Sequence, residues 1–245
     1  MNHNLLQINS KDKSNDQMNN NDFKVNYGNN EEIHNVNRIV LKSVDIPNVF
    51  YNVNEYNNIF KHPMGAETVI PVGQYSLDDL ILVLKTLDSR ILDIVLNSVT
   101  KKLDFTFTTS THFLGEKDGN LIAPLLGITK TDVDNFGSPI TPQGFPNLAG
   151  ISEVYIHSMA CCDGNNLITA NGINHGVLAV VPITVPFGAV EHHQSSHPEL
   201  DHYDKASLKS GSSLREIDIQ VKDSSGNLLD LGGLNINIVL KVFHL

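Results

Sequence analysis

Apolar and polar residues alternate most clearly from Leu214 to Leu245, where the pattern predicts two strands joined by a turn. In the first strand Ile217, Ile219 and Val221 point one way, while Glu216, Asp218, Gln220 and Lys222 point the other. The cluster Asp223-Ser224-Ser225-Gly226-Asn227 follows, and its residue types tolerate tight-turn dihedrals. After Gly232-Gly233, the residues Ile236, Ile238, Leu240 and Val242 share a second dry face. Val239 and Phe243 fall on the opposite, otherwise polar, face and are expected to suit a subunit interface or to lie under a second layer.

The same reading places strands at Arg38 to Ile46, Val49 to Val53 and Glu67 to Ile70, each stopped by proline, glycine or asparagine. One helix stands out. Ser76 is a natural N-cap, Asp78 and Asp79 sit where the helix dipole favours acids, and Leu80, Leu84 and Leu87 recur at helical spacing up to about Asp88. Ile91 to Leu96 and Lys101 to Thr108 predict a hairpin around Asn97-Ser98, with Leu103, Phe105 and Phe107 on one face. Asn120 to Ile128 predicts a turn of helix. Strands resume at Ser152 to Cys161 and Val177 to Val185, with Asp163 to Gly176 and the His-rich Gly188 to Gly211 expected as loops. Roughly eight to ten short strands with one inserted short helix, without βαβ alternation, predict an all-β chain of sandwich or jelly-roll type.

Residues 1–37 differ from the rest. They are crowded with Asn, carry mixed charge and show no apolar periodicity, so a flexible N-terminal arm is expected there, followed by a single domain over 38–245. A formal net charge of -10 and the lack of a basic cluster exclude a protein that grips nucleic acid over a wide surface. No run reaches the length of a membrane span, and Met1 to Ser10 lacks the basic start and apolar block of a secretory signal. The two cysteines, Cys161 and Cys162, are neighbours. Side chains on adjacent strand residues diverge, so a mutual disulfide is not expected, and the pair fits small buried strand residues in a reducing compartment.

One ordered series of motifs remains. Val44-Asp45-Ile46-Pro47-Asn48-Val49-Phe50-Tyr51-Asn52-Val53 precedes Ile70-Pro71-Val72-Gly73-Gln74-Tyr75-Ser76 and the helix. Next come Pro124-Leu125-Leu126-Gly127-Ile128, Val154-Tyr155-Ile156-His157-Ser158 and Val181-Pro182-Ile183-Thr184-Val185-Pro186-Phe187-Gly188. The last is Asp218-Ile219-Gln220-Val221-Lys222-Asp223-Ser224-Ser225-Gly226-Asn227. From about Arg38 onward the series resembles the minor capsid (penton) proteins of virophages and Polinton or Maverick elements. Each motif alone occurs in many β proteins; the specificity lies in their order. The resemblance implies a single jelly-roll β-sandwich that forms homopentamers at the five-fold vertices of an icosahedral capsid. It implies a major capsid protein of double jelly-roll type as partner around the vertex, and a place in the virion after assembly in host cytoplasm. It implies no enzymatic activity, no cofactor and no catalytic or metal residues.

The main alternative is a carbohydrate-binding or cupin-like metal-dependent domain using Glu191-His192-His193-Gln194-Ser195-Ser196-His197-Pro198-Glu199-Leu200-Asp201-His202. Imidazoles and carboxylates are standard ligands for zinc, iron or nickel. The spacing departs from a cupin, because the four His crowd one segment broken by Pro198 instead of spreading over separate strands. A solvated loop is therefore expected. The chain has no Trp, a common sugar platform, which lowers the glycan reading. No nucleophile elbow of the GxSxG kind occurs, His157 is expected to be packed or interfacial, and His112 and His175 sit in turns.

Overall fold

Alternation becomes strand in fifteen segments among the described residues. The computed structural model describes residues 3–15, 18–26, 32–61, 66–108, 115–129, 139–161, 166–169, 172–195 and 205–244. In chain order the elements are β1 (His3–Asn9), β2 (Asp22–Asn26), β3 (Ile33–Pro47), β4 (Ile59–Lys61), β5 (Glu67–Val69), α1 (Leu77–Leu87), β6 (Ile91–Leu96) and β7 (Leu103–Phe107). They continue as β8 (Glu153–His157), β9 (Asn166–Thr169), β10 (Gly172–His175), β11 (Val177–Pro182), β12 (Val190–Gln194), β13 (Lys205–Leu214), β14 (Glu216–Lys222) and β15 (Asn237–His244). The chain divides into two compact units, Met1–Phe50 with Ile151–Leu245, and Tyr51–Gly150.

The first unit is a sandwich of two antiparallel sheets over one core. One sheet runs β1-β15-β3-β12, with β13 also pairing β3; the other runs β11-β8-β14-β2. Period-2 alternation sends Ile8, Ile39, Leu41, Val44, Ile46, Ile238, Leu240 and Val242 inward from the first sheet. Phe23, Val25, Val154, Ile156, Val181, Ile217, Ile219 and Val221 come inward from the second, and all sixteen belong to one buried cluster. Each such side chain contributes about 1.5–3 kcal/mol through removal from water. This shared core, rather than any single strand pairing, holds the two sheets together.

Three expectations change in this unit. The terminal pair is not a hairpin: β14 pairs β8 and β2, whereas β15 pairs β3 and β1. The turn forms as read, with Asp223 Oδ1 accepting from the Ser225 and Asn227 amides and Gly226 at φ 88°. The returning chain stays beside β14 only through Leu228 and Leu229, then crosses to the other sheet. Leu229, Leu231 and Ile236 are buried in the core along that crossing.

The stretch 1–37, expected as an arm outside the fold, supplies edge strands to both sheets and the start of β3. Ile8, Phe23 and Val25 each fill the core, short alternations that the Asn-rich composition masks. Asn itself does structural work here. Asn20 Nδ2 donates to the Gly233 and Leu234 carbonyls, and Asn21 Nδ2 donates to the Leu229 carbonyl at 2.7 Å. Finally, two expected loops carry strands, β9 with β10 in the first and β12 with β13 in the second.

The second unit, residues 51–150, has its own buried core. Helix α1 is capped by Ser76, whose Oγ accepts from the Asp79 amide at 3.2 Å, and Lys85 lies in its last turn. Its Leu80 and Leu84 pack with Phe60, Ile70, Ile91, Ile94, Leu103, Phe105 and Leu126. β6 and β7 form the hairpin read from the sequence, closed by Asn97 Oδ1 accepting from the Val99 and Thr100 amides. β4 and β5 form a smaller pair, and Ala123–Leu126 is a single 3-10 turn. Val49 to Val53, expected as a strand, is reduced to a bridge between Val53 and Gly73.

Candidate interaction surfaces

The outer face of the β1-β15-β3-β12 sheet carries an ordered polar row. Registers align Asn237 with Asp45 and Asp45 with His192, and side-chain bonds follow that line across four strands. Gln7 Nε2 donates to Asn237 Oδ1 at 3.0 Å, Asn237 Nδ2 donates to Asp45 Oδ2 at 3.0 Å, and His192 Nδ1 lies 2.9 Å from Asp45 Oδ1. Burial pushes the Asp45 carboxyl up, but the bonds from His192 and Asn237 outweigh it and hold Asp45 below its ordinary value.

At the other end of the same face the register aligns His3, Phe243 and Arg38. The Arg38 guanidinium stands 4.2 Å from the Phe243 ring centroid and Lys241 Nζ stands 4.9 Å from it, with the His3 ring at 6.0 Å. Each cation contributes about 0.5–1 kcal/mol at such a site. Phe243 is on the face the sequence assigned it and is only 5% exposed, so of the two alternatives the covered one holds, with the cover supplied by side chains of its own sheet. The cationic side chains lie over it, which no alternation pattern encodes. Val239 is half-buried, and Leu5, which pairs with Lys241 in register, is 63% exposed.

The His-rich segment is a strand at its start. β12 pairs β3, and alternation turns His192 to the outer face while Glu191 and His193 turn away from it. Glu191 is buried and accepts from the Thr184 amide at 2.6 Å and the Thr184 hydroxyl at 2.9 Å. Burial alone would push its carboxyl up; the bonds from Thr184 and Val185, with the charge of His193, hold it below its ordinary value. The geometry thus splits the first three members of the proposed ligand set between two faces. His197, Pro198, Glu199, Asp201 and His202 lie outside the described residues, as do Cys162 and His112. Among the described residues, no group of three or more His, Cys, Asp or Glu is placed to hold a metal.

Cys161 follows β8 in a turn instead of lying on a strand, and it is fully buried. Burial pushes its thiol up to about 12, which leaves it a packing residue without nucleophilic character. Asp218, which alternation places on the solvent side of its strand, organises this turn. Its carboxylate accepts from the Met159 and Ala160 amides at 3.0 and 2.8 Å and from the Ser158 hydroxyl at 3.3 Å. Ser158 Oγ in turn accepts from the Cys161 amide at 3.2 Å. Tyr155 and His157, on β8, are both buried on the outer side of their sheet, so His157 is a packed residue as expected.

Residues 51–150 carry a second surface. Leu82 and Leu87 on α1, Leu92, Val95 and Leu96 on β6, and Val99 in the following turn are all large and exposed. The ion pair Lys85 Nζ to Asp93 Oδ1, 2.7 Å, ties the helix to the strand and brings these residues onto neighbouring elements.

No protein-family model matches the chain, and no curated protein matches it by sequence. Among solved structures the chain is similar to the mavirus penton protein, known from a crystal structure of the selenomethionine-labelled protein. The TM-score is 0.50 at 10% sequence identity, and the match covers 100% of both chains. At that identity the likeness is one of fold, and it extends from end to end of both proteins.

Proposed function

We propose that this chain is a structural capsid protein, a single jelly roll that closes the five-fold vertices of an icosahedral capsid as a homopentamer. The observation that carries the reading is the end-to-end likeness of fold to a viral penton protein. A sandwich with two separate outer faces suits ring formation, and the exposed apolar residues of α1 and β6 suit a contact with a second protein. That second protein is the major capsid protein around the vertex, and the site of action is the virion, assembled in host cytoplasm. The reading assigns no reaction, no cofactor and no catalytic or metal-binding residue. The carbohydrate and cupin-like readings gain no support from the described part of the His-rich segment, where Asp45 and Thr184 engage His192 and Glu191. The test is the native mass of the full chain by light scattering on a sizing column. Five times the 27.0 kDa chain mass is expected. A chain that is monomeric at every concentration, alone and with the major capsid protein, overturns the reading.

A further inference from the structure

We infer that the two outer faces of the sandwich are each other's partners between copies of this chain. The outer face of the β1-β15-β3-β12 sheet of one subunit stacks on the outer face of the β11-β8-β14-β2 sheet of the next. The inference rests on the ring assembly proposed above and names the surfaces that make it. A ring closed by rotation is heterologous, so each subunit must offer two different surfaces that fit one another. Opposite faces of one sandwich meet that requirement without any further element.

The two faces are also unlike in charge. On the first, Arg38 and Lys241 lie over Phe243, with Leu5 exposed and Val239 half-buried alongside. Among the described residues no carboxylate pairs with Arg38. The carboxylate of Asp45 is on the same face but is held by His192 and Asn237 at its far end. On the second face alternation places Glu153, Tyr155, Asp22, Lys24, Glu216, Asp218, Gln220 and Lys222 outward, because their neighbours in the strands fill the core. Lys24 and Glu216 pair with one another at 2.7 Å, which leaves Asp22, Glu153 and Asp218 against Lys222, with the Asp218 carboxylate bonded within the subunit. In a chain of net charge -10, a cationic and apolar patch is the exception, and the acidic face of a second copy complements it. The cations set which way the subunits face; Leu5 and Val239 supply apolar area beside them.

The test uses the full chain and three variants, Leu5→Glu, Lys241→Glu and Lys241→Glu combined with Asp22→Lys, each followed by light scattering across concentration. Thermal unfolding of each variant serves as the control for folding. Leu5→Glu and Lys241→Glu are expected to weaken self-association by about tenfold or more, since each sets a carboxylate against an acidic face. Adding Asp22→Lys is expected to restore association. Leu5 is exposed and its neighbour Leu6 is the residue packed against the core, so Leu5→Glu tests the face even where Lys241→Glu unfolds. Folded variants that keep the wild-type oligomeric mass at all concentrations overturn the choice of faces and leave the ring itself standing. A wild type that never assembles overturns both.

Discussion

Asp218 is one strand residue holding a whole turn, so its removal has a local and measurable consequence. In the native chain its carboxylate accepts two backbone amides, from Met159 and Ala160, and the Ser158 hydroxyl. A hydrogen bond to a charged group is worth roughly 1.5–3 kcal/mol when buried, and this site is only partly buried. Two such bonds, discounted for the solvent that replaces them, put Asp218→Ala at about 2 kcal/mol against the closed turn. That corresponds to a roughly 30-fold larger opening constant. The turn ends at Cys161, whose thiol is fully buried, so opening is what exposes it to reagent. In a Cys162→Ser background, labelling of Cys161 by an aromatic disulfide should therefore accelerate about 30-fold, with reclosing faster than labelling. Asp218→Asn, which keeps the shape but weakens acceptance, should fall between wild type and Asp218→Ala. An Asp218→Ala chain that labels at the wild-type rate would show that core packing of Cys161, and not the carboxylate, keeps the turn shut, and the reasoning would fail.

Two further outcomes are expected. Gly127 has φ 77°, and a Cβ there would stand 2.7 Å from the Gly144 carbonyl oxygen, so Gly127→Ala should destabilise residues 51–150 by at least about 1–3 kcal/mol in urea unfolding. Glu191 has a folded-state value below its unfolded one, so the stability it contributes is complete above the unfolded value near 4.5 and is lost as pH falls through the folded value. Glu191→Gln should accordingly flatten the fall in the urea midpoint between pH 6 and pH 3, and an unchanged slope would refute that assignment; Asp45 acts in the same direction.

Local signals in the sequence were legible. The cap at Ser76 and the spacing of Leu80 and Leu84 placed α1 with its end near Asp88, because a helix is closed by contacts within four positions, although Leu87, read on the same stripe, is exposed. Asn97 with its flanking alternation specified the β6–β7 hairpin, and the dry faces of β14 and β15 were read correctly in all their core positions. The sandwich class followed from strand count and alternation, and the ordered motifs pointed to a penton-like fold that the structural likeness supports.

What alternation leaves open is the partner. It says which side of a strand is dry but not which strand lies beside it, so β14 and β15 read as a hairpin although a buried crossing sends them to different sheets. The edge strands β1 and β2 were hidden because short alternations in an Asn-rich stretch become stable only when a neighbouring sheet supplies the other half of the hydrogen bonds and the core. The same holds for the surfaces. Phe243 under Arg38, Asp45 between His192 and Asn237, and Asp218 beneath the Cys161 turn each join residues tens or hundreds of positions apart. The sequence by itself determined the dry faces of the strongly alternating strands and the place of the helix, since these depend on neighbours along the chain. The pairing of strands, the division into two units and the character of the outer faces were decided by tertiary structure, since they depend on which distant residues share one dry interior.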